Sequence, residues 1–119
     1  LQTVCWFRDG RILFPPCDKT EAITRLAELL RLYRQGLTEP LRFFPASANA
    51  YIANDNRIDK AHAQWETGYG GYPGEGDDPF NRLATRGMAE PLDEVFAECA
   101  QKVLSPMQDH MSKVMYGDD

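Results

Sequence analysis

The chain has 119 residues, 43% hydrophobic and 26% charged, enough for one domain, or part of one, with a modest core. No apolar run approaches the roughly 18 residues of a membrane span, and no basic segment followed by an apolar one marks a secretory signal. The net charge of −5 is uneven: seven Lys/Arg against five Asp/Glu in residues 1–45, then six against thirteen in residues 46–119, so the acidic half would repel a phosphate backbone.

The first residue is Leu1 rather than methionine, as expected of a segment cut from something longer. Cys5, Cys17 and Cys99 form no C-x-x-C pair and no disulfide pattern, which points to free thiols in a reducing cytoplasm.

Residues 1–16, "LQTVCWFRDGRILFPP", read as a β-hairpin with Asp9-Gly10 as a two-residue turn. That turn sets Phe7 opposite Ile12, Trp6 opposite Leu13 and Cys5 opposite Phe14. Cys5, Phe7, Ile12 and Phe14 then share one face and Trp6 and Leu13 the other. Both faces are apolar, so the hairpin needs cover from elsewhere. Residues 18–36 predict a helix, with Asp18 as N-cap and Glu21 three residues on. Ile23, Leu26, Leu30, Tyr33 and Leu37 form its apolar stripe, widened by Leu29, and Glu21 pairs with Arg25 on the wet side. "LRFF", residues 41–44, suggests an edge strand. Residues 47–68 are helical in two pieces, the first capped by Ser47 and the second with Ala61, Trp65 and Ile58 on a narrow apolar face.

Residues 69–78 form a glycine-rich loop. Residues 79–87, opened by Asp78 and Pro79, predict a short helix burying Phe80 and Leu83. Residues 90–116 predict a long one, with Pro91 in its first turn and Leu92, Val95, Phe96, Cys99, Val103 and Leu104 as its stripe. Pro106 predicts a kink. Beyond it Met107, Met111, Val114 and Met115 keep the helical period. The fold class is therefore α+β, an N-terminal hairpin plus about four helices.

Chemistry is scarce. Glu75, Asp77 and Asp78 in "GEGDDPF" supply oxygens of the kind a divalent cation takes, but their spacing matches no EF-hand loop. Asp78-Pro79 is the N-cap and first-turn order of a helix start, Asp77 lies near the same positive end, and Gly74 and Gly76 permit a sharp turn. The joint is favoured over the metal site. His62 faces Glu66 at i+4 without an activated serine or cysteine nearby, and His110 lies on the tail. No nucleotide-cradling glycine motif occurs. "RIDKA" brings Asp59 and Lys60 together on a helix, the wrong geometry for a nuclease triplet. The residues imply no catalytic set, no metal and no cofactor. Candidate interaction residues are Trp6, Phe7, Leu13 and Phe14 of the hairpin and Met107, Met111 and Met115 of the tail. Two other readings are a metal-dependent nuclease using the three acidic residues, and a DNA-binding module using Arg8, Arg11, Arg31, Arg34 and Arg42.

Read together, "FRDGRILFPPCD", "LLRLYRQGLTEPLRFFPASANAY", "KAHAQWETG", "GEGDDPFNRLATRG" and "VLSPM" resemble, in that order, the C-terminal end of the RecC family, the gamma subunits of bacterial exodeoxyribonuclease V. "YRQGLTEPLRFFP" and "GEGDDPFNRL" are the most specific stretches. The resemblance implies a single C-terminal fragment, part of an inactive PD-(D/E)xK nuclease-like domain whose remaining strands lie upstream. It implies a scaffold role beside RecB-like beta and RecD-like alpha subunits, inside an ATP-dependent helicase–nuclease of the cytoplasm. DNA would be met through that complex, and no Chi-reading or strand-splitting residue is carried over onto this chain.

Overall fold

The computed structural model describes residues 2–115, with side chains through Ser112. In chain order it contains β1 (Thr3–Phe7), β2 (Gly10–Phe14), α1 (Lys19–Gly36), α2 (Pro45–Ala53), α3 (Ile58–Trp65), α4 (Pro79–Ala84), α5 (Glu94–His110) and β3 (Ser112–Met115), with single 3-10 turns at Tyr69–Gly71 and Glu75–Asp77 before α4. The fold is α+β, with five α-helices where about four were expected.

The hairpin forms in a different register. Phe7 pairs with Gly10, Trp6 with Arg11, Cys5 with Ile12, Val4 with Leu13 and Thr3 with Phe14. The reversal is thus at Arg8-Asp9, and Gly10 belongs to the central strand, where it also pairs with Met115 of β3. Left-handed φ angles occur at Asp55, Asn56, Gly70, Gly71 and Gly87, none of them in this turn. The slip is of two residues, and because side chains alternate with period two each keeps its expected face. β3 extends the sheet in the order β1-β2-β3 without covering either face.

β3 also corrects the long helix over 90–116. α5 ends at His110, Met111 takes extended dihedrals, and Ser112–Met115 joins the open edge of β2. A locally helical period gave way there to unpaired backbone groups on a strand edge, which only tertiary contact supplies. Residue 116 and the side chains of Val114 and Met115 lie outside the described residues. At the other end Pro91 precedes the helix. Asp93 is the N-cap, its carboxylate accepting from the Phe96 N–H. The helix runs through Pro106 without a break; the carbonyl deprived of its donor is that of Lys102, an exposed residue that water reaches.

The core is a three-helix contact. Phe44, Ala48, Tyr51 and Ile52 from the start and face of α2, Ala61 from α3, Leu92 from the turn before α5, and Phe96 and Ala100 from α5 are buried together, with Trp65 against them. Phe44 lies 4.5 Å from Trp65 and 6.1 Å from Phe96 between ring centroids, and Tyr51 meets Phe96 edge-on at 6.0 Å. The "LRFF" stretch is irregular rather than a strand. It delivers Phe44 as the N-cap residue of α2 with Pro45 in the first turn; Ser47, the expected cap, is fully buried inside the helix. Ile58 and Val95 are exposed, as are Phe80 and Leu83 of α4, which were expected to be buried.

α1 has the predicted cap, Asp18 accepting from the N–H groups of Thr20 and Glu21, and the predicted Glu21–Arg25 pair at 3.9 Å. No residue of α1 is buried. Its contacts are with α5, through the side that carries Arg25, Glu28 and Leu32, while Ile23, Leu26, Leu30, Tyr33 and Leu37 are 57–69% exposed. The most apolar face of the longest helix therefore points away from the core.

Phe96→Ala is expected to cost about 3–5 kcal/mol, whereas Leu30→Ala, on the open face of α1, stays within about 0.5 kcal/mol. Urea unfolding of both variants measures the difference, and equal losses would mean that α1 belongs to the cooperative core.

Candidate functional site

The acidic loop answers for all three of its carboxylates. α2 begins at Pro45 after Phe44, whose side chain cannot accept a hydrogen bond, so its first N–H groups need an acceptor from elsewhere. Glu75 provides it: one carboxylate oxygen accepts from the Ala46 N–H at 2.9 Å and the other from the Ser47 N–H at 2.7 Å. Negative charge is also favourable at that helix end. Asp77 accepts from the Thr67 hydroxyl at 2.7 Å and from the Gly74 N–H at 2.8 Å, closing the loop on itself. Asp78 accepts from the Phe80 and Asn81 N–H groups and so caps α4, with Pro79 in its first turn. Asn81 in turn donates to the Glu75 carbonyl at 2.9 Å. Hydrogen bonds from Thr67 and Gly74 hold the Asp77 carboxyl below the usual carboxylate range. Among the described residues no group of three or more His, Cys, Asp and Glu side chains is placed to hold a metal ion.

The glycines answer to proximity more than to turning. Neither Gly74 nor Gly76 has a left-handed φ. A Cβ on Gly74 would come within 2.3 Å of the Trp65 and Glu66 carbonyls, and one on Gly76 within 2.6 Å of the Trp65 indole. The loop lies flat on the C-terminal end of α3, and only hydrogen atoms fit between them.

The other charged groups also hold elements together. The Arg42 guanidinium binds the Asp93 carboxylate and the Glu90 carbonyl, joining the entry to α2 with the start of α5. Burial pushes the Asp93 carboxyl up, but the Phe96 N–H and Arg42 together outweigh it and leave it below its usual range. His62 stands 3.8 Å from both Glu66 and Glu90. Asp59 pairs with Arg57, not with Lys60. A ring nitrogen of His110 meets the Pro15 carbonyl, tying the end of α5 to the exit of the hairpin. Burial raises the Cys99 thiol above its normal pKa, so it is a poor nucleophile at neutral pH.

Of the candidate interaction residues, Phe14 and Met107 come together. They line a groove of ≈ 420 Å³ between α1 and α5, with Leu26, Leu29, Val103 and Pro106. Leu13 and Met111 are half-buried. Trp6 is 64% exposed on the opposite face of the sheet, with the Arg11 guanidinium 5.4 Å from its ring centroid, and Phe7 is 37% exposed. Met115 pairs with Gly10 in the sheet, and its side chain lies outside the described residues. Sequence reasoning missed Glu75 as the cap of α2. The signal was Phe44-Pro45, a helix start without an acceptor of its own. No helix among the described residues is long and apolar enough to cross a membrane.

This combination, an acidic loop spent on backbone donors and broad apolar surface left open, accompanies a definite sequence match. Residues 1–56 match the RecC C-terminal domain family. The chain is also 28% identical over 115 residues to the RecBCD enzyme subunit RecC of Escherichia coli strain K12, an alignment that covers 84% of this chain and 10% of RecC. The resemblance to RecC read from the sequence is thus shown, and this chain spans about a tenth of that relative's length. The family match ends within the polar turn after α2, ahead of α3 and the acidic loop. No solved structure matches the chain.

Gly76→Ala is expected to destabilise the chain by about 1–3 kcal/mol, because the new methyl group must displace the Trp65 indole; urea unfolding reads the loss. Asp77 has a folded-state pKa below its unfolded value of 3.8. Its contribution is therefore present above that value and disappears as pH falls through the lower, folded one. Stability measured from neutral to about pH 2 is expected to fall less steeply in Asp77→Asn than in the unmodified chain, and parallel curves would refute the assignment.

Proposed function

We propose that this chain is a non-catalytic binding and scaffold module of a RecBCD-type helicase–nuclease, the class of complex that processes double-strand DNA ends for recombinational repair. The observation that carries the reading is the RecC match on a chain whose hairpin and α1 leave large apolar side chains uncovered. Its partners are RecB-like beta and RecD-like alpha subunits. DNA is reached through the assembled complex, since the acidic half of the chain repels phosphate, and the setting is the cytoplasm. The domain it contributes to is an inactive nuclease-like one of the PD-(D/E)xK type. In favour of inactivity, Glu75, Asp77 and Asp78 each face backbone N–H groups of a different segment, where a two-metal nuclease needs them converging on one point.

Capture of the 119-residue chain by purified RecB-like or RecD-like subunits, tested separately after nuclease treatment, measures this. Retention by either subunit is expected. Loss of retention in Trp6→Ser or Met107→Ser would locate the contact on the sheet or on the groove. A folded chain retained by neither subunit would remove assembly from its functions. Mg²⁺- or Mn²⁺-dependent DNA cleavage abolished by Asp77→Asn would replace the scaffold reading with a nuclease.

A further inference from the structure

β1 is an outer strand of the sheet, and its edge is open. It pairs with β2 alone. Thr3, Cys5, Trp6 and Phe7 are exposed, and Val4 is half-buried. The two-residue turn makes Phe7 and Gly10 a hydrogen-bonded pair. Alternation from there gives Cys5 and Thr3 to the inner ladder and turns the backbone N–H and C=O of Val4 and Trp6 outward. Those groups meet no other backbone group among the described residues. An extended strand offers donors and acceptors at the matching spacing, so the backbone itself sets the form of the occupant. The edge also lacks the usual deterrents to pairing, having no charged residue, no proline and an unbroken register. The opposite edge, β3, is one residue shorter and contains Lys113, the residue type that discourages edge pairing.

The order of residue types selects the strand. Thr3-Val4-Cys5-Trp6-Phe7 is two β-branched residues, a centre and two aromatics. Laid antiparallel on a second copy of itself about Cys5, the whole strand pairs. Thr3 then faces Phe7 of the second copy, Val4 faces its Trp6, and the two Cys5 residues face each other. Every β-branched residue stands opposite an aromatic one, a favourable cross-strand pairing, and Val4 and Trp6 exchange the outward hydrogen bonds. Moving the centre to Val4 sets Trp6 opposite Gln2; moving it to Trp6 sets Val4 opposite Arg8. Both shifts leave part of the strand unpaired. Arg8 and Asp9, the nearest charges, fall at opposite ends of the two copies and do not meet their own kind. Assembly stops at two, because a two-fold contact uses both β1 edges and leaves the β3 edges outside. We propose that β1 is a homodimerisation edge, joining two copies of this chain in an antiparallel β1–β1 contact centred on Cys5. The inference goes beyond the subunit partnership and stands on β1 alone.

Sedimentation equilibrium of the 119-residue chain under reducing conditions, from about 1 µM to about 1 mM, tests it. Monomer and dimer alone are expected, as suits a contact below about 1,200 Å². Cys5→Lys and Cys5→Glu each set two like charges face to face, and each is expected to weaken the dimer about tenfold or more. Mixed in equal amounts, the two variants are expected to dimerise again, since opposite charges then face each other. Val4→Pro removes an outward N–H that β2 does not use. It is expected to weaken the dimer while the far-ultraviolet circular dichroism stays unchanged, a second check should a charge at Cys5 disturb the hairpin. A chain monomeric throughout, a dimer that survives Cys5→Lys and Val4→Pro, or a mixture that stays monomeric would each overturn the proposal. A monomeric chain that loses subunit capture in Val4→Pro would give the edge to a partner's strand, ending the homodimer and keeping the RecBCD-type partnership. A dimer captured by neither subunit keeps the homodimer and ends that partnership.

Discussion

The Glu75 carboxylate holding the first N–H groups of α2 is the interaction on which the rest depends. It reaches back across 29 residues to Ala46, and its position requires everything between. α3 must pack closely enough on α2 to bury Ala61, and the chain must then cross the end of α3 closely enough that Gly76 touches the Trp65 ring. The same crossing presses Trp65 onto Phe44 at 4.5 Å. Phe44 is the residue that leaves α2 without a cap of its own. One aromatic side chain thus creates both the need for a remote carboxylate and the surface against which the loop carrying it is packed.

From that point the architecture divides into a closed part and an open part. The closed part is α2, α3 and α5 with the acidic loop, where burial of Phe96, Tyr51 and Phe44 supplies most of the apolar stabilisation. Its charges are used on helix starts: Glu75 on α2, Asp78 on α4, and Asp93 on α5 with Arg42 behind it. The open part is the three-stranded sheet and α1. These reach the core chiefly along α5 and through the His110 contact with Pro15. The division is functional in form, because residues that a self-contained domain would bury are the ones left facing outward.

Much of this was legible in the residues. Asp18 and Asp78 announced their helices because an N-cap needs only an acceptor next to the N–H groups it serves, a local matter. The hairpin strands and the division of their side chains between faces followed from alternation, and a two-residue slip left that division intact. The RecC resemblance was visible in "YRQGLTEPLRFFP", which lies inside the matched residues 1–56. Less legible were the features that depend on distant partners. Glu75 was placed in a helix-start joint, with a cation site as the less favoured reading, but the helix it caps could not be named because that helix starts 29 residues earlier. Ser47 looked like a cap because its type suits one, yet the side chain is buried. The Met107–Met115 stretch has a helical period through its whole length, and β3 exists only because β2 offers it an edge.

The sequence by itself determined the helix starts, the apolar faces, the absence of a long membrane-crossing run and the resemblance to RecC, all properties carried by residues within a few turns of one another. Tertiary structure alone decided which apolar faces are used. Five of the most hydrophobic positions of α1 have the spacing of a core stripe and remain exposed, since periodicity specifies that a face is apolar and says nothing about where its partner is. The physical reason is the same for Glu75, β3 and α1: hydrogen-bond donors, strand edges and apolar surface all require partners, but the chain's own local pattern does not say which partner is within reach.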